Sequence, residues 1–327
     1  MSNTSCFQKP RIAITMGDPA GVGPEIVISA ISDTDVLAAC VPVVIGSRVI
    51  LERCARAVGV AHPPADIEVV SVDTQGIDRI EPGRVSPEAG MAAEAYVRKA
   101  CLMALEREID AIATAPINKE SLRLAGVPYI GHTEMLAAYL GSSDPLTMFV
   151  TGSMRIFFLT RHMSLRDAVD YVKNDRVYTF IKRVNSAMVE LGFDRPRIGL
   201  AALNPHASDG GQFGDEEEKH LKPAAAMARE EGIDCSDPIG ADSVFHMALE
   251  GRFDCVISLY HDQGHIAAKT RDFYRTVTAT LGLPVLRTSV DHGTALDIAW
   301  KGIANPVSMK TAILTAVTLM EKQRSRR

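Results

Sequence analysis

Strand-like and helix-like segments alternate through the first 110 residues, and few architectures accept that order. Arg11–Thr15 is a short apolar run, followed by a Gly/Pro turn and a helical stretch at Pro24–Ser32. Val41–Ile45 is again strand-like, Val49–Ala57 helical and Ile67–Val72 a third strand. Pro87–Glu108 is a long helical pattern with alanine and leucine on one face, and Ala111–Ala115 returns to strand. This β/α alternation predicts an α/β fold with a mostly parallel sheet flanked by helices.

The middle of the chain adds Met148–Val150 and Arg155–Leu159 around Thr151-Gly152-Ser153, a hairpin signal that predicts a mixed sheet there. Helical patterns follow at Leu165–Tyr171 and Asn174–Leu191. The remainder reads as strand Ile198–Leu203, helices Glu216–Glu231 and Asp242–Glu250, strands Cys255–Leu259 and Val285–Arg287, and a last helix Pro306–Lys322. No Pro/Gly/Ser-rich linker and no internal repeat divides the 327 residues, so two interleaved domains are expected rather than two beads on a string.

Composition excludes several partners. Net charge is −5 with both signs interspersed, and the one basic cluster is the tail Lys322–Arg327, so nucleic acid is not the expected partner. No run of about 18 apolar residues exists to span a membrane, and the N-terminus lacks the apolar segment of a signal peptide. The six cysteines form no CxxC and no framework spacing, which predicts thiols in a reducing cytoplasm.

Three histidines each follow a strand-like run: His162 after Arg155–Thr160, His206 in LNPHASDGG, and His261 in YHDQGH. Ligands of open α/β sheets bind beyond the carboxyl ends of strands. Three imidazoles delivered there suit one divalent metal with an open coordination position, although each alone also reads as an ordinary hydrogen-bonded histidine. Imidazole ligands do not choose between zinc, cobalt and other ions. Asp262 is placed to orient an imidazole, and His265 shares a helix face with His261 if that turn is helical.

Other motifs carry charge. TMGDPAGVGPE, Thr15 to Glu25, is either a plain helix-initiating turn or an anion contact, and it matches no nucleotide fingerprint. Lys119 lies just past a strand end, and His132 with Thr133 opens a helix. Arg287 ends a strand, where a guanidinium can clamp phosphate or carboxylate, and Asp291-His292-Gly293-Thr294 makes a polar turn after it. With Lys269 these residues supply local positive charge in an acidic protein, which suits a small dianionic substrate.

The strings GDPAGVGPE, PINKE, GHTE, LNPHASDGGQFGDEE, YHDQG and GLPVLRTSVDHGTALD together resemble the 4-hydroxythreonine-4-phosphate dehydrogenase family, from about Arg11 to Thr318. The resemblance implies a fold like that of isocitrate and isopropylmalate dehydrogenases, with two α/β domains: roughly 1–135 with 290–327, and 136–289 as the metal-bearing and dimerisation domain. It implies a homodimer with shared active sites, NAD or NADP, and one divalent ion, whether Zn, Co, Mg or Mn. By position, His162, His206 and His261 match the metal ligands, and His132, Thr133, Lys269 and Arg287 match substrate contacts. Asn204, Gly210, Asp291, His292, Gly293 and Thr294 lie along the expected cofactor path. The implied reaction oxidises the C3 hydroxyl of a 4-phosphorylated four-carbon hydroxy acid and then decarboxylates the β-keto acid. Lys119 and Asp242 are candidate proton acceptors.

One position departs from the pattern. Biosynthetic members carry asparagine nine residues before the matching arginine, and here that position is Thr278. Together with HDQGHIAAK, this resembles the branch acting on 4-phosphorylated threonate or erythronate. Two alternatives are a dehydrogenase of a cyclic cis-diol carboxylate, which would need no phosphate clamp, and a non-catalytic metal- or nucleotide-binding protein.

Overall fold

In a computed structural model describing residues 9–60 and 67–325, the chain forms two compact units, Met1–Pro145 with Val277–Met320 and Leu146–Thr276 with Glu321–Arg327. Cys6, the N-terminal segment before Lys9 and the last two residues of the basic tail lie outside the described residues.

The first unit opens with β1 (Arg11–Thr15), whose last four side chains are buried. Helix α1 (Gly23–Ile31) starts on Pro24, α2 (Thr34–Ala39) is capped by the Asp33 carboxylate, and β2 (Val41–Gly46) follows. Helix α3 (Arg48–Val58) is capped by the Ser47 hydroxyl, and β3 (Glu68–Ser71) pairs with β2. Helix α4 (Pro87–Leu105) is capped by Ser86 and leads to β4 (Ala111–Thr114). Helices α5 (Lys119–Leu124) and α6 (His132–Leu140) pack against α4 and keep the chain in this unit to Pro145, past the expected boundary at 135.

The second unit is built on the hairpin β5 (Leu146–Thr151) and β6 (Met154–Phe158), antiparallel across the turn read from the sequence. Helices α7 (Leu165–Tyr171) and α8 (Asn174–Glu190) precede β7 (Ile198–Leu200). Helix α9 (Lys222–Glu230) follows a π-helical turn at Glu217–Leu221, then come α10 (Ala241–Leu249), β8 (Cys255–Ser258) and α11 (His261–Arg271). Strand β8 lies between β6 and β7 and is parallel to both. Phe149, Ile156, Phe158, Val244 and Val256 are among the core residues between this sheet and α10 and α11.

The chain then returns to the first unit as β9 (Val277–Leu281), antiparallel to β10 (Leu286–Val290), which runs parallel to β4. The first unit's strands therefore lie in the order β3-β2-β1-β4-β10-β9. Helix α12 (Val307–Arg324) closes the chain. Because β9 belongs to this ladder, the second crossing falls at Val277 rather than near 290. The structure bears out an α/β fold with mostly parallel strands and a mixed component. Among the described residues, no helix is long and apolar enough to cross a membrane.

Candidate active site

In the first unit the chemistry gathers around Arg287. Strand β10 lies between β4 and β9, so its arginine sits inside the sheet and is 5% exposed. Its Nε and Nη2 donate to Thr114 Oγ1 at 3.1 and 2.7 Å, and its Nη1 donates to Thr280 Oγ1 at 3.1 Å. Burial pushes its pKa down to about 9, yet guanidinium stays protonated at neutral pH. Two hydroxyls accept from three of its five N–H groups without balancing its charge, which leaves the pocket electrostatically suited to an anion.

His132, the first residue of α6, stands beside that charge. The residue is half-buried, but its Nε2 has no solvent contact and no hydrogen-bond partner. Burial first and the Arg287 charge second hold its pKa well below the usual imidazole range, so the ring is neutral at pH 7. Thr133 follows in the same first turn. Thr278 faces Ser289 in the β9–β10 ladder, two pairs along from Thr280 and Arg287. Period two puts Thr278 and Thr280 on one face of β9, so Thr278 lies on the Arg287 side of the sheet.

The TMGDPAGVGPE turn meets the DHGT turn through backbone. Val22 N donates to Thr294 O at 2.9 Å, and a Cβ on Gly21 would fall 2.8 Å from that same oxygen. Close backbone packing therefore accounts for Gly21, which favours the structural reading of that turn. Gly293 is exposed with open space where a Cβ would stand, so a ligand can reach the backbone there. His292 Nδ1 lies 2.9 Å from Gly293 O. Lys119 is exposed at the start of α5, whose first turn is capped by the Asn118 carbonyl.

In the second unit the three histidines behave differently. His162 lies in the exposed segment after β6 and His261 opens α11, with ring centres 6.1 Å apart. His261 Nδ1 contacts Asp262 Oδ1 at 2.6 Å, as expected for a carboxylate that orients an imidazole and leaves Nε2 available. His265, one turn on, stacks against His261 at 3.7 Å and packs on Phe149 and Phe158. Burial pushes its pKa down to about 4, so its ring is neutral where it packs on these neighbours. His206 sits on a turn in which it and Ala207, Ser208 and Asp209 all have positive φ, at 53°, 53°, 65° and 44°. Four such non-glycine residues in a row are strained backbone, which persists where surroundings over-determine it. Among the described residues no three His, Cys, Asp or Glu side chains of one chain group closely enough to hold a metal. The pair His162–His261 is brought together and His206 is not.

The remaining expected residues divide between the units. Asn204 spends its amide on Glu216 Oε2 at 2.7 Å and Glu217 Oε2 at 2.8 Å. Gly210 is exposed with a left-handed φ of 66°. Lys269, in the last turn of α11, has its Nζ 5.4 Å from the Phe273 ring centre. Asp242 is exposed in the first turn of α10. The sequence reading missed Glu217, Gln263, Thr114 and Thr280. Glu217 was visible only as one acid in a run of four, and the threonines carried no motif at all.

Comparisons with known proteins agree over most of the chain. Residues 38–316 match the family described as pyridoxal phosphate biosynthetic protein PdxA. A protein of Halalkalibacterium halodurans with the provisional name D-threonate 4-phosphate dehydrogenase is 48% identical over 322 residues, covering 94% of this chain and 96% of its own. The crystal structure of 4-hydroxythreonine-4-phosphate dehydrogenase from Klebsiella pneumoniae superposes with a TM-score of 0.86 at 39% identity, covering 95% of this chain and all of that one. A terephthalate 1,2-cis-dihydrodiol dehydrogenase from Burkholderia xenovorans reaches 0.65 at 29% identity, covering 95% and 98%.

Proposed function

The chain belongs to the family of the pyridoxal phosphate biosynthetic protein PdxA, as a dehydrogenase acting on a CH–OH group, and we propose that its substrate is a 4-phosphorylated threonate or erythronate. The observation that carries this reading is the buried Arg287 guanidinium, held by two threonine hydroxyls and by no carboxylate among the described residues, beside a neutral His132. A phosphate would supply the missing negative charge, accept a charge-assisted hydrogen bond from Arg287, and accept from His132 Nε2 and the first turn of α6. The provisional name of the Halalkalibacterium relative supports the hydroxyl-bearing acid. The cis-diol alternative is disfavoured by the lower identity to that structure.

The residues fit a divalent metal. Two imidazoles sharing an ion, each nitrogen about 2.1 Å from it, place their ring centres roughly 5–6 Å apart, close to the His162–His261 separation. We infer that His206 joins them only when two copies associate, which makes the active unit a homodimer. Exposed Ile266 (64%) and Phe273 (58%) on and after the histidine-bearing helix support a covered face. When bound, the metal and NAD or NADP supply an acidified C3 hydroxyl and a hydride acceptor. Arg287, His132 and Thr133 hold the phosphate and fix the substrate's orientation. Thr278 offers a hydroxyl on a short arm, and Lys269 a further positive charge. The open backbone at Gly293 suits a nucleotide lying against it, and Gly210 is likewise open within its own unit. Lys119 and Asp242 stay as proton-acceptor candidates, both exposed.

The experiment is an NAD(P)-reduction assay with metal, comparing D-threonate and D-erythronate 4-phosphates with 4-hydroxythreonine 4-phosphate. Turnover of the phosphorylated hydroxy acids at the higher kcat/KM is expected. Preference for the amine-bearing substrate refutes the assignment.

A further inference from the structure

In the second unit a chain of hydrogen bonds outside the strand ladder ties together the three segments that carry the histidines. Gln263, two residues after His261, is 8% exposed and uses both ends of its amide. Its Nε2 donates to Ala202 O at 2.7 Å, four residues before His206. Its Oε1 accepts from Leu259 N at 2.8 Å and from Ser258 Oγ at 3.2 Å, at the end of β8. Leu259 O accepts from Thr160 Oγ1 at 2.9 Å, two residues before His162. Past Ala202, the buried Glu217 carboxylate accepts from the N–H groups of Leu203 and Asn204, both at 2.8 Å. The helix rides close on the sheet: a Cβ on Gly264 would fall 2.6 Å from Phe158 Cε1 and 2.9 Å from Ile156 Cγ2.

We propose that Gln263 is a positioning residue for the metal site, fixing where the His261 helix and the His206 loop leave the sheet. It rests on the reading of His206 and His261 as metal ligands. An amide can donate to a carbonyl at one end while accepting a backbone N–H at the other, as both partners here require. Glutamate has the same shape but turns an oxygen toward Ala202 O, and methionine leaves both backbone groups without a partner. Partners that orient metal-ligand segments typically move metal affinity by 10–100-fold when removed. The strained run at 206–209 follows directly on residues 202–204, which Gln263 and Glu217 anchor, so losing either lets the loop relax away from its ligating position.

The test is Co(II) titration of the metal-stripped full-length protein, reading affinity by chelator competition and geometry by the visible d–d absorption, with thermal unfolding measured alongside. Gln263→Glu is expected to bind Co(II) about 10–100-fold more weakly with an altered band, while far-UV circular dichroism stays that of the wild type. Thr160→Val, which removes one hydroxyl and keeps the shape, is the second variant and is expected to weaken binding less, in the same direction. If either folded variant binds Co(II) with wild-type affinity and spectrum, even at a lowered Tm, Gln263 and its relay only hold the fold and the proposal is overturned. Failure of the ligand reading shows separately: His206→Ala and His261→Ala would then leave Co(II) binding untouched, and the proposal falls with it.

Discussion

Arg287 and Thr114 meet inside the sheet of the first unit, the guanidinium giving the threonine hydroxyl two hydrogen bonds, at 3.1 and 2.7 Å. A buried positive charge answered only by hydroxyls is costly in the empty protein and useful when an anion arrives. Arg287→Lys is therefore expected to lose on the order of 2 kcal/mol in kcat/KM, because a point charge cannot keep both threonine contacts and a phosphate. Arg287→Met should lose far more activity while unfolding at an equal or higher temperature than the wild type without ligand. Adding inorganic phosphate should raise the Tm of the wild type and not of Arg287→Met. An equal rise in both would place the anion elsewhere.

Asp18 gives a pH dependence with a defined sign. It is fully buried, with Oδ1 accepting from Ala20 N at 2.8 Å. Burial pushes its carboxyl up to about 6 from an unfolded value near 3.8, while the bond from Ala20 N pulls the other way. Between those values the folded protein keeps a proton that the unfolded chain has released. The group's favourable contribution is thus complete below about pH 4 and lost as pH rises through about 6, a loss of roughly 3 kcal/mol. Asp18→Asn keeps the Ala20 bond, so it should be more stable than the wild type by about that amount at pH 8 and nearly equal at pH 4. Urea unfolding of both proteins at the two pH values checks this, and a constant difference between them would contradict it.

The metal reading predicts complementation. His162→Ala, His206→Ala and His261→Ala should each abolish turnover with metal present. Mixing the His206→Ala and His261→Ala proteins should restore a fraction of activity if the ligands come from different copies. Sedimentation should show a dimer, and an active monomer would end the shared-site reading. Exhaustive chelation should remove activity and re-addition of a divalent ion should return it.

Much of the fold was legible because periodicity reports burial. Segments such as Leu165–Tyr171 and Arg11–Thr15 have no competing pattern, and their bounds agree with the structure. Strand β9 went unassigned because V-T-A-T-L is short and flanked by a glycine turn, and its place beside β10 is a long-range pairing. Helix α2 was missed for a similar reason: six residues are too few to show a period. Strand Ile198–Leu203 is cut at Leu200, since Ala202 turns to Gln263 and the next two amides to Glu217. In the site, charged and imidazole groups announced themselves by type. The residues that hold them did not, because a threonine at 114 or 280 and a glutamine at 263 gain their roles only from what the fold brings opposite.

Thr278 carries the last prediction. Its ladder partner is Ser289, and the pair two positions along is Thr280 with Arg287, so its side chain shares the face where the anion is expected. Asparagine presents an amide carbonyl that can accept from a substrate ammonium, as well as a donor, whereas threonine presents one hydroxyl nearer the backbone. A substrate bearing a hydroxyl at that carbon needs no dedicated acceptor. Thr278→Asn should therefore shift the ratio of kcat/KM values toward 4-hydroxythreonine 4-phosphate, by about tenfold, or roughly 1.4 kcal/mol. The shift should appear as a gain on the amine substrate as well as a loss on the hydroxy acid, because a damaged site would lower both. Parallel loss on the two substrates would remove Thr278 from the discrimination. A wild-type protein that already uses the amine substrate at least about tenfold better would return the chain to the vitamin-forming reaction.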